Sequence, residues 1–209
     1  PYSSPLIPSP SPSLFTGIIE SLGTIVAVEE EGTNRHFWVR AALAPELKID
    51  QSVAHDGVCL TVVAVDAEAH TYRVTAIQET LHRTALGQWV AGTEVNLERC
   101  MPATGRFDGH IVQGHVDATG TLRSVLDRDG SWRLEIEHQP GAGRITVEKG
   151  SITLNGVSLT VVDSGADFFS VELIPYTWEH TNLRHLRPGD AVNLEFDIVG
   201  KYVARLLGR

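Results

Sequence analysis

The chain has 209 residues, with 26 acidic and 17 basic side chains and a formal net charge of −9. An acidic chain without a basic stripe argues against partners such as nucleic acid or an anionic membrane. No apolar run approaches the roughly 20 residues needed to cross a bilayer, and its two cysteines are too few for a disulfide framework. We therefore expect a soluble protein of a reducing compartment that binds a small, weakly charged ligand.

The first 14 residues, PYSSPLIPSPSPSL, differ in composition from everything that follows. Repeated proline blocks helices and central strands, and serine adds little apolar surface to bury. We expect residues 1–14 to lie outside the fold, as a disordered leader, a cloning remnant or the end of a processed targeting sequence. The protein is then expected in the cytoplasm, with a plastid as the alternative if the segment is a transit-peptide remnant.

The remaining chain repeats itself. Three blocks of the first half return in the same order 97 to 99 residues later: GIIESLGTI at 17–25 as GHVDATGTL at 114–122, GVCLTVV at 57–63 as GVSLTVV at 156–162, and VNLE at 95–98 as VNLE at 192–195. Ordered blocks in nearly constant register indicate two homologous domains in tandem. We place them at residues 15–111 and 112–196.

Each half reads as short β-rich runs separated by Gly, Asp, Asn or Pro, a pattern typical of a small antiparallel barrel or sandwich. The runs are residues 24–28, 36–39, 58–65 and 72–76, then 120–125, 132–136, 157–162, 168–173 and 191–196. Helical turns are predicted at residues 44–47, at 80–86 before Gly87 as a left-handed stop, and at 177–186 before Pro188. The predicted fold is all-β, with two tandem small antiparallel β-barrels and a C-terminal α-helix.

Residues 197–209 change character and predict that helix, capped by Asp197. Its apolar stripe of Ile198, Tyr202 and Leu206 lies among basic residues. Such a helix must pack on its own barrel or on a neighbouring subunit, and the sequence leaves both open.

The halves share some polar positions and differ at others. The shared pairs are Gly17 with Gly114, Ser52 with Ser151, and Thr61 with Thr160; the differing pairs are Ile18 with His115, His55 with Leu154, Asp56 with Asn155, and Cys59 with Ser158. One pocket is therefore expected to present a thiol and the other an imidazole and a hydroxyl.

Each of these residues also has a structural interpretation. Cys59 could be a small buried hydrophobe, His115 at the start of a strand could be a hydrogen-bonded structural histidine, and Thr80 could be a helix cap. His110 and His115 are five residues apart and would point to opposite faces of a strand, so we predict no metal site.

Several motifs together resemble riboflavin synthases, the family of tandem lumazine-binding barrels. They are FTGIIE at 15–20, GVCLTV at 57–62, ETLHRTALG at 79–87, GHV at 114–116, NGVSLT at 155–160 and IP at 174–175. The resemblance runs from Phe15 to the C-terminal helix. It implies a dismutation without any cofactor, in which two molecules of 6,7-dimethyl-8-ribityllumazine exchange a four-carbon unit to give riboflavin and 5-amino-6-ribitylaminouracil.

The resemblance also implies the residues of the site. The catalytic candidates are Cys59, His115, Ser158 and Thr160. The implied substrate contacts are Gly17, Ile18, Ile19, Ser52, Cys59, Leu60, Thr61, Thr75, Ala76, Ile77, Gln78, Glu79, Thr80, Gly114, His115, Val116, Lys149, Asn155, Ser158, Leu159, Thr160, Glu172, Leu173, Ile174, Pro175, Tyr176 and Thr177. Two positions depart from the pattern: Asn155 stands where some members carry Asp, and Tyr176 where some carry Glu.

In the family, the C-terminal helix assembles a homotrimer whose working site joins the N-terminal barrel of one subunit to the C-terminal barrel of another. The resemblance also allows for a functional association with lumazine synthase. Two rival interpretations remain. A lumazine or flavin antenna protein would bind the ligand without turnover, and a purely structural double barrel would bind no chromophore.

Overall fold

The computed structural model describes residues 14–208, so the predicted leader, apart from Leu14, lies outside the described residues. Leu14 itself is anchored, because its carbonyl accepts a hydrogen bond from the Met101 N–H. The strands are β1 (Ser21–Glu31), β2 (Asn34–Arg40), β3 (Ser52–His55), β4 (Val58–Asp66), β5 (Thr71–Ala76), β6 (Glu94–Arg99), β7 (Ala118–Asp127), β8 (Trp132–His138), β9 (Ser151–Leu154), β10 (Val157–Ser164), β11 (Phe168–Leu173) and β12 (Ala191–Phe196).

These strands form two closed antiparallel barrels of six strands each, which confirms the predicted fold class. The first barrel closes in the order β1-β2-β5-β4-β3-β6, and the second follows the same path as β7-β8-β11-β10-β9-β12. Closure removes exposed sheet edges, so a small sheet needs no further cover. The repeat in the sequence is thus a repeat of topology.

Alternation along each strand directs one set of side chains into its barrel. On β4, Val58, Leu60 and Val62 are buried, whereas the residues between them face outward. The barrel interiors are separate apolar clusters, with Phe37 and Tyr72 in the first and Phe169 in the second. Each buried side chain of this size contributes about 1.5–3 kcal/mol by leaving water.

Strands β3, β6 and β9 were not among the predicted runs, although a turn signal was present after β3 and after β9. Asp56-Gly57 joins β3 to β4, and Asn155-Gly156 joins β9 to β10. All four residues have positive φ, at 45°, 80°, 45° and 81°, as a type I′ hairpin turn requires. Four-residue strands carry too short an alternation to be recognised without that signal.

The two hairpin tips meet where the barrels touch. A Cβ on Gly57 would lie 2.9 Å from the Gly156 nitrogen, so this approach needs glycine. The repeated asparagines fasten the tips reciprocally: Asn96 Nδ2 donates to the Asn155 carbonyl at 2.9 Å, and Asn193 Nδ2 donates to the Asp56 carbonyl at 3.0 Å.

The segments that lead into the barrels are exchanged between them. Ile19, which precedes β1, packs against the core of the second barrel, and Val116, which precedes β7, packs against the core of the first. A backbone pair between Phe15 and Val112 joins the two segments. We call residues 15–19 and 112–116 the first and second entry segments.

The helices of the described chain are α1 (Gln78–Arg83), α2 (Pro175–His180) and α3 (Ile198–Leu206). The helical turns were predicted, but Gly87 is not a left-handed stop, because it lies within the 3-10 turn Ala85–Gln88 that follows α1. Thr80 is not a cap either, since α1 begins after Ile77. Asp197 does cap α3, accepting from the Val199 N–H. Within residues 14–208, no helix is long and apolar enough to cross a membrane.

Candidate functional site

Three of the four catalytic candidates lie on the outward faces of two equivalent strands, and His115 lies outside them. Cys59 and Thr61 alternate with buried residues on β4, and Ser158 and Thr160 do the same on β10. Cys59 and Ser158 are half-buried, and both threonines are exposed. The barrels therefore offer two matched outer surfaces, and their interiors are filled by core side chains.

An exchanged entry segment covers each of these surfaces. The Gly114 carbonyl accepts from the Cys59 N–H at 2.9 Å, and the Gly17 carbonyl accepts from the Ser158 N–H at 2.8 Å. Both glycines have positive φ, and a Cβ on either would lie within 2.7 Å of the side chain that it covers. Only glycine permits this approach.

This exchange corrects the predicted partition of reactive groups. The repeat suggested that His115 and Ser158 share one pocket, but the segment that carries His115 covers Cys59 of the first barrel. His115 also precedes β7 rather than lying on a strand, and its side chain is exposed. The segment over Cys59 thus carries His115, while Ile18 lies on the segment over Ser158.

The histidine that contacts Ser158 is His110, which was not among the predicted site residues. His110 Nδ1 lies 2.7 Å from Ser158 Oγ, and its Nε2 lies 3.3 Å from Thr153 Oγ1. Its backbone N–H donates to the Thr16 carbonyl at 3.1 Å. The Gly-His pair at 109–110, which recurs at 114–115, was a signal for this second imidazole.

The electrostatic surroundings of His110 suit proton exchange. Partial burial lowers the pKa of His110, and the negative charge of Asp197 opposes this by raising it. Asp197 was predicted only as the cap of α3. The imidazole is therefore held mainly neutral at pH 7, with one ring nitrogen able to accept a proton.

The strand ends beside each surface carry further predicted contacts. At equivalent positions, Ile77 and Ile174 are 56% and 61% exposed, an apolar surface suited to an aromatic heterocycle. Gln78, Glu79 and Thr80 follow on α1, and Pro175, Tyr176 and Thr177 on α2. Tyr176 stacks on His180 with ring centroids 4.0 Å apart.

Several predicted contacts already have protein partners. Thr75 Oγ1 lies 2.8 Å from His36 Nδ1, Glu79 pairs with Arg83, and Glu172 accepts from Ser131 Oγ. Ser52 lies opposite Thr61, and Lys149 is exposed just before β9.

Other predicted contacts lie where a ligand on the outer surface could not reach their side chains. Leu60 and Ala76 belong to the core of the first barrel, and Leu159 and Leu173 to that of the second. Only the backbones of these four residues are available to a ligand.

Asn155 is also removed from the reactive surface. Its Oδ1 accepts from the Asn193 N–H at 2.8 Å, within the contact between the barrels. It lines a cavity of about 510 Å³ together with Asp56, Trp89 and His185, none of which is a predicted ligand contact. In this structure Asn155 makes structural contacts at the junction of the barrels.

The remaining asymmetric pairs are structural too. His55 is fully buried, with Nε2 2.7 Å from the Tyr72 hydroxyl, and burial lowers its pKa to about 4. Burial raises the pKa of Asp56 to about 7, although hydrogen bonds from the Asn96 N–H and the Asn182 side chain act to lower it. Across residues 14–208, no three His, Cys, Asp or Glu side chains are grouped as a metal site would need.

Comparison with a family model also finds two repeats in the chain. The model of the family "Lumazine binding domain" matches residues 16–100 and again residues 113–197. Solved structures of LumP with 6,7-dimethyl-8-(1'-D-ribityl) lumazine and with riboflavin superpose with TM-scores of 0.77 and 0.79, over 87% of this chain and 98% of theirs. At 18% and 20% identity, these likenesses show the fold alone.

Relatives of higher identity are similar over nearly the whole chain. A riboflavin synthase of Actinobacillus pleuropneumoniae is 42% identical, over 93% of this chain and 90% of the relative. Those of Mycobacterium tuberculosis strain H37Rv and Bacillus subtilis are 41% and 36% identical over the same share of this chain, covering 98% and 90% of the relatives. With two lumazine-binding domains and this degree of identity, the chain belongs to the riboflavin synthase family.

Proposed function

We propose that the chain converts two molecules of 6,7-dimethyl-8-ribityllumazine into riboflavin and 5-amino-6-ribitylaminouracil by transfer of a four-carbon unit. One observation carries this function: two equivalent strand surfaces, each covered by the other repeat's entry segment, present different reactive groups. Cys59 lies on the first surface, and Ser158 with His110 on the second. The names and coverage of the relatives support the same reaction.

The duplication suits this chemistry because donor and acceptor are the same compound. Two similar surfaces can each bind one lumazine, and their differences can assign the two roles. Holding both reactants in a productive orientation is worth about 7–11 kcal/mol in favourable cases. The exposed isoleucines at the strand ends offer apolar area to each ring, and the threonine hydroxyls beside them offer polar contacts to the ribityl chain.

The reaction needs a proton removed from the 7-methyl group of one lumazine and a nucleophile added at C7 of the other. On the second surface, Ser158 relays a proton to neutral His110, whose positive form is then stabilised by Asp197. On the first surface, Cys59 and His115 are the available groups, with Thr61 beside them. Thr160 adjoins Ser158 on its outward face, and the nucleophile is Cys59, Ser158 or water.

The proposed assembly is a homotrimer in which the first surface of one subunit faces the second surface of another. The outward face of α3 supports an interface, because Tyr202 and Leu206 are 68% and 86% exposed while Ala204 packs inward. We place the enzyme in the cytoplasm, with a plastid as the alternative, and in functional association with lumazine synthase.

The test is riboflavin formation by the purified chain with the lumazine and no added cofactor. We expect one riboflavin for every two lumazines consumed, with the uracil product in equal amount to riboflavin. Tight lumazine binding without any riboflavin would contradict the proposed function and would favour an antenna protein.

A further inference from the structure

The VNLE block is repeated unchanged, and each copy ends in a buried carboxylate that the proposed chemistry does not use. Glu98 on β6 and Glu195 on β12 are 4% and 3% exposed. A carboxylate so deeply buried is stable only when donors surround it. The position of those donors indicates what each carboxylate does.

Both carboxylates bind the backbone of an entry segment. Glu98 accepts from the Thr16 N–H at 2.6 Å, from the Thr16 hydroxyl at 2.8 Å and from the Gly17 N–H at 2.9 Å. Glu195 accepts from the Gln113 N–H at 2.7 Å and from the His115 N–H at 2.9 Å. Each carboxylate therefore fixes the segment that precedes its own barrel.

Each fixed segment, however, covers the reactive surface of the other barrel. Gly17, bound by Glu98 of the first barrel, covers Ser158 of the second. Gly114, whose two neighbours are bound by Glu195 of the second barrel, covers Cys59 of the first. The carboxylate of each barrel is therefore linked, through an entry segment, to the reactive residue of the other barrel.

We propose that Glu98 and Glu195 are crossed positioning residues: Glu98 sets the Ser158 surface of the second barrel, and Glu195 sets the Cys59 surface of the first. Each carboxylate acts through the backbone of an entry segment rather than on the reacting groups. The consequence for catalysis rests on the proposed function, whereas the crossed control of the two segments rests on the hydrogen bonds alone.

The geometry requires a carboxylate rather than an amide. Both oxygens of each side chain accept hydrogen bonds from the segment, so a glutamine would present an N–H group to one backbone donor. Burial raises the pKa of both glutamates, and the N–H donors of the entry segments oppose it. The hydrogen bonds from the entry segments thus help to keep Glu98 and Glu195 negatively charged.

The test is amide hydrogen exchange in the full-length chain without ligand, resolved at the Cys59 and Ser158 N–H groups. Glu98→Gln should speed exchange at Ser158 by at least about tenfold, because Gly17 loses its acceptor, and should leave Cys59 unchanged. Glu195→Gln should speed exchange at Cys59 and leave Ser158 unchanged. Glu20→Gln is the matched control, because Glu20 is exposed and binds Arg99 of its own barrel, and it should change neither amide.

The proposal would be overturned if Glu98→Gln sped exchange at Cys59 instead of Ser158, or Glu195→Gln at Ser158 instead of Cys59. An equal change at both amides, or no change in either, would overturn it too. Equal change is what a general loss of stability produces, and the Val74 and Val171 amides in the two cores report it. Should a glutamine variant fail to fold, Glu98→Asp and Glu195→Asp keep the charge but shorten the reach, and they should give the same crossed pattern.

Ligand measurements separate this proposal from the proposed function. If the wild-type chain forms riboflavin, Glu98→Gln should lower turnover as Ser158→Ala does, and Glu98→Asp, which keeps the negative charge, should retain more of it than Glu98→Gln. If the wild-type chain forms none while exchange is crossed, the proposed reaction fails and the positioning role stands.

Discussion

In the proposed reaction, His110 and Ser158 act as a unit, because their 2.7 Å hydrogen bond joins the nitrogen and oxygen that would exchange a proton. Removing either partner should therefore cost nearly as much as removing both. We expect His110→Ala and Ser158→Ala each to lower turnover by about 10²-fold or more, and the double variant to be scarcely slower than the worse single one. Initial rates of riboflavin formation measure this.

One outcome of the double-mutant cycle would contradict the relay between His110 and Ser158. If the two losses multiply, the residues act independently and no relay joins them. Lumazine affinity, measured by fluorescence titration, should change much less than turnover, because the relay is needed for proton transfer and not for binding.

Asp56 gives a prediction about stability and pH. Burial raises its pKa from 3.8 to about 7, so the folded chain keeps a proton there that the unfolded chain releases. Stability is therefore lost as the pH rises from about 4 towards 7, by up to about 4 kcal/mol at pH 8. Asp56→Asn should remove this loss, since one amide oxygen can accept both bonds that Asp56 Oδ1 accepts.

Urea unfolding at pH 5 and pH 8 checks the prediction, with the variant gaining over the wild type only at the higher pH. The free energy of unfolding of the variant must be compared with that of the wild type at each pH, because His55 also titrates. Its pKa is lowered to about 4, so it destabilises the fold as the pH falls below 6.5, the opposite direction to Asp56. A gain of equal size at both pH values would mean that Asp56 is ionised in the folded chain throughout.

The outward face of helix α3 carries exposed apolar side chains. Ala204 is buried against the barrel and Lys201 pairs with Asp117, while Tyr202 and Leu206 point to solvent. If this face joins subunits, Leu206→Asp should dissociate the assembly, because burying a large apolar side chain at the interface contributes about 1.5–3 kcal/mol. Sedimentation velocity should show a smaller species with reduced riboflavin formation.

Val90→Asp is the control for that substitution, because Val90 is also exposed, at 63%, but lies on a turn of the first barrel. It should leave both size and activity unchanged. If the wild-type chain sediments as a fully active monomer, the proposed interface at α3 is wrong.

Most elements were predictable from local pattern, and the failures have separate local causes. Alternation identified the long strands, and Asp197 with its apolar stripe identified α3. Gly87 was misread because a glycine after a helical turn is ambiguous until its φ is known. Strands β3 and β9 were missed because four residues show little alternation, although Asp56-Gly57 marked the turn.

The site was less predictable because its parts come from distant segments. The repeat correctly paired Cys59 with Ser158 as equivalents, but equivalence does not tell which barrel an entry segment covers. That is decided by the packing of Ile19 and Val116 and by the hydrogen bonds from the Cys59 and Ser158 N–H groups to the entry segments. His110 was missed for the same reason, since its contact with Ser158 spans 48 residues.

At the scale of the whole molecule, the proposed trimer makes a prediction about mixed assemblies. If each working site joins the first surface of one subunit to the second surface of another, two differently disabled chains should complement each other. Cys59→Ala disables the first surface, and His110→Ala disables the second. A mixed assembly then contains interfaces at which both surfaces are intact.

In a closed trimer that contains both variants, about one interface in three is fully intact. It is the interface that joins the first surface of a His110→Ala chain to the second surface of a Cys59→Ala chain. We therefore expect co-expressed Cys59→Ala and His110→Ala chains, purified through two different tags, to recover about a third of wild-type turnover. Each variant expressed alone sets the background. If the site were formed within one subunit, every copy would still carry one disabled surface, and the mixed assembly would be no faster than the average of the two variants.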